Sequence, residues 1–131
     1  MKQYKLYYPY QSDKKDKKYF VIVNDGESNS VGMSRGLNTN KQLFKRVYFG
    51  AKGYEHYTTT PEYKGHQDDD RRKLYELRHK ENEKWGYKGV KTAGFWSYWY
   101  LWKYKNHTEA YKNIQKLLKN WGFPVGASIS L

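Results

Sequence analysis

Apolar residues fall into a few short runs set between long polar stretches, and each run carries its own period. "YFVIV", residues 19–23, is apolar and β-branched without alternation, the pattern of a buried strand. "QLFKRVYFG", residues 42–50, predicts a second strand. It sets Phe44, Arg46, Tyr48 and Gly50 on one side and Leu43, Lys45, Val47 and Phe49 on the other. Residues 24–40 between them are rich in Gly, Asn and Ser and predict a turn with a long flexible loop. Together these runs predict an antiparallel hairpin with a lengthened tip. Residues 1–18 end in the charge run "SDKKDKK" and predict a solvated basic arm, and residues 123–131 an extended tail.

The period then changes. Gly50, Gly53, Pro61 and Gly65 mark a connector, with the glycines as chain-turning positions. "DDDRRKLYELRHKENEKWG" predicts an amphipathic helix, with Asp68–Asp70 supplying capping oxygens and negative charge at its N-terminus. Leu74, Leu77, Glu81 and Trp85 share one face of it, Arg71 and Arg78 flank that face, and Gly86 stops the run. In "NHTEAYKNIQKLLKNWG", Asn106 and Glu109 resemble a capping box, and Tyr111, Ile114, Leu117, Leu118 and Trp121 recur at helical spacing. Gly122 and Pro124 end that helix.

Between them lies "GFWSYWYLWKY", seven of whose eleven residues are aromatic. As a strand it would have two apolar faces, which so small a domain hardly covers, so it predicts a short helix. An α-helical wheel puts Phe95, Tyr98, Trp99 and Trp102 on the core side and leaves Trp96 and Tyr100 on the other flank. Trp96 and Tyr100 are therefore the expected partner-binding surface.

Composition changes this picture in two ways. Only 37% of the 131 residues are hydrophobic, yet the chain holds fifteen tyrosines and five tryptophans, so rings must build the core. The expected core is Val21, Val23, Phe49, Leu74, Leu77, Trp85, Phe95, Trp99, Trp102, Ile114, Leu118 and Trp121. The formal net charge of +12 calls for a polyanion or an acidic protein surface as partner. Lysine and arginine mixed with rings in "KKDKKYF", "FKRVYF" and "RRKLYELRHK" suit phosphates and bases. The expected phosphate contacts are Lys14, Lys15, Lys17, Lys18, Lys45, Arg46, Arg71, Arg72 and Arg78.

Other chemistry finds little support. The chain has no cysteine, which excludes disulfides, thiolate metal sites and cysteine catalysis. His79 and Glu83 have a ligand-like spacing, with His66 and Asp68–Asp70 nearby, but their neighbours are Arg and Lys, and capping accounts for the aspartates. No nucleophile elbow, P-loop or dinucleotide fingerprint occurs, and no secretory signal or membrane-spanning run is read. Catalytic residues, metal and cofactor are all expected to be absent, as is a small-molecule substrate.

The strings "KKYFVIV", "VYFGAKGYEHY", "DDDRRKLYELRHKENEKW" and "KTAGFWSYWYLW", in this order, resemble a family of small basic uncharacterised proteins. That family is encoded by nucleocytoplasmic large DNA viruses (giant viruses) and some phages. The resemblance runs from about Lys17 to Trp121; residues 24–40 replace a tighter connection. It implies no activity, but a viral setting: a place in the virion, and the host cytoplasm or nucleus during assembly.

The expectation is a small α+β domain over residues 19–122, an antiparallel hairpin or sheet packed by about three short helices. Its expected role is that of a non-enzymatic minor capsid or internal virion protein contacting other virion proteins. The alternative is a sequence-nonspecific DNA-binding or genome-packaging protein.

Overall fold

The computed structural model describes residues 2–28 and 41–131. Five strands and three α-helices follow one another as β1 (Gln3–Lys5), β2 (Tyr10–Gln11), β3 (Lys17–Ser28), β4 (Lys41–Ala51), α1 (Asp69–His79), α2 (Ala93–Trp96), α3 (His107–Asn120) and β5 (Ser128–Ser130). A 3₁₀ turn at Tyr87–Gly89 precedes α2, and a π-helical segment at Ser97–Trp102 continues it. The fold is α+β, with an antiparallel three-stranded sheet β2-β3-β4 and an antiparallel two-stranded sheet β1-β5.

The hairpin β3–β4 pairs Tyr19 with Phe49, Val21 with Val47 and Val23 with Lys45. That register puts Tyr19, Val21, Val47 and Phe49 on one face and Phe20, Ile22, Arg46 and Tyr48 on the other. The first face receives the aromatic helix: Tyr100 stands edge-on to Tyr19 and Phe49 at 5.4 and 6.2 Å, and Trp96 lies 6.2 Å from Phe49. The second face receives the N-terminal segment, with Tyr10 stacked on Phe20 at 5.6 Å and Tyr4 edge-on to it at 6.4 Å. Covering on both sides is why "YFVIV" does not alternate. It also means that residues 1–18 are no free arm: β2 pairs with β3, Leu6 and Tyr7 are buried, and Tyr7 N–H donates to Ile22 O at 2.9 Å.

The tail is likewise part of the domain. β5 pairs with β1, and Phe123 packs on Tyr7 at 5.6 Å. The flexible-loop expectation for residues 24–40 is corrected at its start, because β3 continues through Ser28 with a register shift after Asn24. Residues 29–40 lie outside the described residues.

Two helices start where expected. Asp68 caps α1, accepting from the Asp70 and Arg71 amides at 3.0 and 3.2 Å, and Asn106 caps α3, accepting from Glu109 N–H at 2.9 Å. Ile114 and Leu118 are buried, and Gly122, at φ +88°, follows the C-cap of α3. Helix α1 ends at His79, well before Gly86, and its orientation overturns part of the expected core. Leu74 and Leu77 are 56% and 64% exposed. The inward stripe is Arg72, Tyr75, Glu76 and His79 instead: Arg72 donates to Lys103 O at 3.0 Å, and Glu76 accepts from Tyr98 OH at 2.6 Å. The half-polar surface beneath α1 matches that polar stripe better than it would match leucines. Trp85, Trp99, Trp102 and Trp121 pack only half-buried.

The aromatic run is helical, as expected, but Trp96 and Tyr100 are not a partner surface. Trp96 is 0% and Tyr100 5% exposed. The reason is that both flanks of the helix are covered: the sheet takes Trp96 and Tyr100 through Phe49, and Tyr75 and Trp85 take Tyr98. The π-helical turn, with Lys103 N–H bonded to Tyr98 O five residues back at 2.9 Å, adds Leu101 to the sheet side, where it lies against Gly50. Trp96 Nε1 is satisfied by Val90 O at 2.8 Å.

Candidate functional site: a cationic cleft beside the first helix

Where the open end of the hairpin meets α1 and the π-helical segment, a cleft of about 380 Å³ opens. Buried Lys18 and His56 and half-buried Gly50 form its floor, Arg71, Tyr75, Arg78 and His79 of α1 one wall, and Ser97, Leu101 and Trp102 the other. Exposed Ala51, Tyr54 and Glu55 form the rim. Residues from "KKYFVIV", "VYFGAKGYEHY", "DDDRRKLYELRHKENEKW" and "KTAGFWSYWYLW" all contribute to this one place.

The local sequence explains the floor. Gly50 sits at φ +77°, and a Cβ there would approach Leu101 Cδ1 to 2.9 Å and Lys18 Cβ to 3.3 Å. Only glycine lets the lysine stem pass under the helix. Lys18 is 4% exposed; its Nζ donates to Tyr54 O and stands 2.8 Å from His56 Nδ1. Burial holds the Lys18 ammonium below the ordinary lysine range. Burial first, then the charge of Lys18 and that of His66, pushes His56 down to about 4. His56 is therefore neutral at pH 7, with Nδ1 accepting from Lys18 and the ring proton on Nε2, a buried atom that meets no acceptor in the protein.

The walls are aromatic and cationic. Tyr75 is sandwiched between His79 and Trp102, each 4.2 Å away ring to ring, and burial raises its hydroxyl far above the usual phenol range. Arg71 pairs with Glu55 at 3.0 Å, an exposed contact of small energetic weight. Arg78 makes no ion pair among the described residues. Lys18, Arg71 and Arg78 thus face a single carboxylate, Glu55. Tyr54, 74% exposed, stands at the mouth as a free ring.

Across α1 a second hollow of about 420 Å³ is lined by Tyr57, Arg72, Lys103, Tyr104, Lys105, Asn106 and Glu109. Arg72 lies over the Tyr57 ring at 5.1 Å and Lys103 over Trp99 at 5.3 Å. Cations therefore run around both sides of α1.

The structure sorts the expected phosphate contacts. Lys18, Arg71 and Arg78 come together in the cleft, and Arg72 stands behind it. Lys18 is withdrawn from the open surface. Lys14 and Lys15 are exposed in the turn before β3, with Lys14 Nζ 4.2 Å from the Tyr48 ring, and Lys17 is half-buried. Lys45 pairs with Asp25 at 3.8 Å; Arg46 pairs with Asp13 at 3.6 Å and covers Phe20 at 4.5 Å. Arg46 lies on the sheet face that the N-terminal segment covers, away from α1. His79 and Glu83 do meet, at 3.3 Å, but among the described residues no group of three His, Asp or Glu side chains is placed to hold a metal.

Sequence reasoning missed Tyr54, Glu55, His56 and Tyr75. Their signal lay in "KGYEHY", which reads as connector, and in Tyr75 between the two leucines of α1, which the apolar stripe leaves unassigned. No described helix is long and apolar enough to cross a membrane. No family model, curated protein or solved structure matches the chain.

Proposed function

We propose that the protein binds nucleic acid without sequence preference, with the cleft and the cations around α1 as the contact surface. The observation that carries this reading is the convergence of Lys18, Arg71 and Arg78 on one cleft that holds a single carboxylate. Cations in such numbers neutralise phosphates and release counterions, whatever the base sequence. The exposed ring of Tyr54 at the mouth offers a stacking surface that accepts any base. The work is that of a binding protein, and the setting that the viral resemblance implies supplies the polyanion: the enclosed or newly replicated genome.

A minor capsid or internal virion role through protein contacts is the second reading. Leu74 and Leu77, exposed on the outer side of α1, favour it; Trp96 and Tyr100 no longer do. Binding of the purified protein to random-sequence DNA over a salt series tests the first reading. It expects log affinity to fall steeply with log salt, by about 0.9 for each duplex phosphate neutralised. Absence of binding even at low salt would overturn it and leave the capsid role.

A further inference from the structure

We infer that the cleft is a socket for a chain end: it takes the terminal phosphate monoester of a nucleic acid strand, seated on Lys18, Arg71 and Arg78. This rests on the nucleic-acid reading above and adds to it a preferred part of the ligand.

Three observations lead there. The first is depth. Lys18 is almost fully covered and lies beside the buried His56, whereas Tyr54 and Glu55 of the same lining are exposed. A duplex lying across the mouth presents its phosphates to Arg71 and Arg78 but cannot lower one to the floor; a strand end can. The second is charge. Among the described lining residues three cationic side chains stand against one carboxylate, Glu55, with Glu83 held at the edge by His79 at 3.3 Å, so the site stays net positive. Such a site suits a terminal phosphate monoester, which carries close to two negative charges at neutral pH, better than an internal diester with one. The third is size and lining. At about 380 Å³ the cleft lies at the lower end of the range for small-ligand sites, a size that suits one nucleotide. Its wall carries Tyr75 and Trp102, with Tyr54 free at the rim for the terminal base.

The buried lysine fits the role. Its contacts with Tyr54 O and His56 Nδ1 hold Nζ in place without a carboxylate neutralising it. A phosphate arriving there finds a preorganised donor, and its charge stabilises the ammonium that burial disfavours.

The test compares one single-stranded oligonucleotide in three forms, with a 5′-phosphate, with a 3′-phosphate and with hydroxyls at both ends, by fluorescence anisotropy. The expected result is binding about tenfold tighter for at least one phosphorylated form, the favoured terminus identifying which end is held. Inorganic phosphate should compete away that preference and leave the residual binding. Arg78→Ala should abolish the preference while the protein stays folded, since Arg78 is exposed. Lys18→Met should do the same if it folds, and Arg78→Ala decides the matter if it does not. Equal affinity for all three forms with intact salt-dependent binding would overturn the socket and leave the nucleic-acid reading standing. A preference that survives Arg78→Ala would also overturn it. No binding of any form at low salt would remove the nucleic-acid reading itself, and the socket with it.

Discussion

Replacing Trp96 by alanine separates a core role from a surface role by a wide margin. The indole has no accessible surface, lies 6.2 Å from Phe49 and 5.5 Å from Phe95, and donates Nε1–H to the carbonyl of Val90, a buried residue. Truncating a buried tryptophan costs about 3–5 kcal/mol, and leaving a buried carbonyl unpaired adds about 1–3 kcal/mol. Against a total stability of about 5–15 kcal/mol, Trp96→Ala should remove about 4–8 kcal/mol, enough to unfold the protein at 25 °C if its stability lies at the low end of that range. Trp96→Phe keeps most of the ring and removes the donor, so it should cost about 1–3 kcal/mol and remain measurable. With a urea slope of about 1–3 kcal/mol per molar, its unfolding midpoint should drop by about 1 M. Circular dichroism over a urea series reads both variants. A Trp96→Ala protein within about 0.5 kcal/mol of the parent would mean that the indole is not buried in the core, since only surface positions behave so.

Acid should destabilise the fold through His56. Its folded value of about 4 lies below its ordinary 6.5, so the unfolded chain binds the proton more readily between these limits. Stability is then fully present above pH 6.5 and falls as pH drops towards 4, by about 3 kcal/mol; His56→Asn should flatten that fall in urea titrations, and an unchanged slope would count against the buried neutral ring. Removal of residues 123–131 should cost about 1–3 kcal/mol, because β5 and Phe123 cover β1 and Tyr7. A loose tail would cost nothing measurable in a thermal melt.

Much of the fold was legible because it rests on local chemistry. Asp68 and Asn106 announce their helices by capping, and residues 19–23 announce a strand by lacking alternation. What was illegible rests on long-range pairing or on departures from regular geometry. Nothing in residues 1–18 says that Tyr4 and Tyr10 will cover Phe20, because exposed and buried tyrosines look alike until the sheet exists. The aromatic helix is covered on both flanks, by the sheet at Trp96 and Tyr100 and by Tyr75 of α1 at Tyr98 and Trp102, and a wheel drawn from that run alone does not show the second cover. On α1 the aliphatic stripe suggested the buried side, whereas Tyr75, Glu76 and Arg72 face inward because their partners are polar or aromatic. Of the candidate site, the arginines of α1 could be named from charge alone. Their convergence with Lys18 and His56 is a tertiary fact, as is the close approach of Leu101 to Lys18 that Gly50 permits.

The measurement that bears most directly on the central claim is the salt dependence of DNA binding in charge variants of two regions. Arg71→Ala with Arg78→Ala should reduce the slope of log affinity against log salt by about 1.8, from about 0.9 per lost phosphate contact. Lys45→Ala with Arg46→Ala, an equal change of charge away from the cleft, should leave the slope nearly as it was. Equal loss from both pairs would contradict the account, since the charge would then act as a diffuse cloud and the cleft would have no special part in binding.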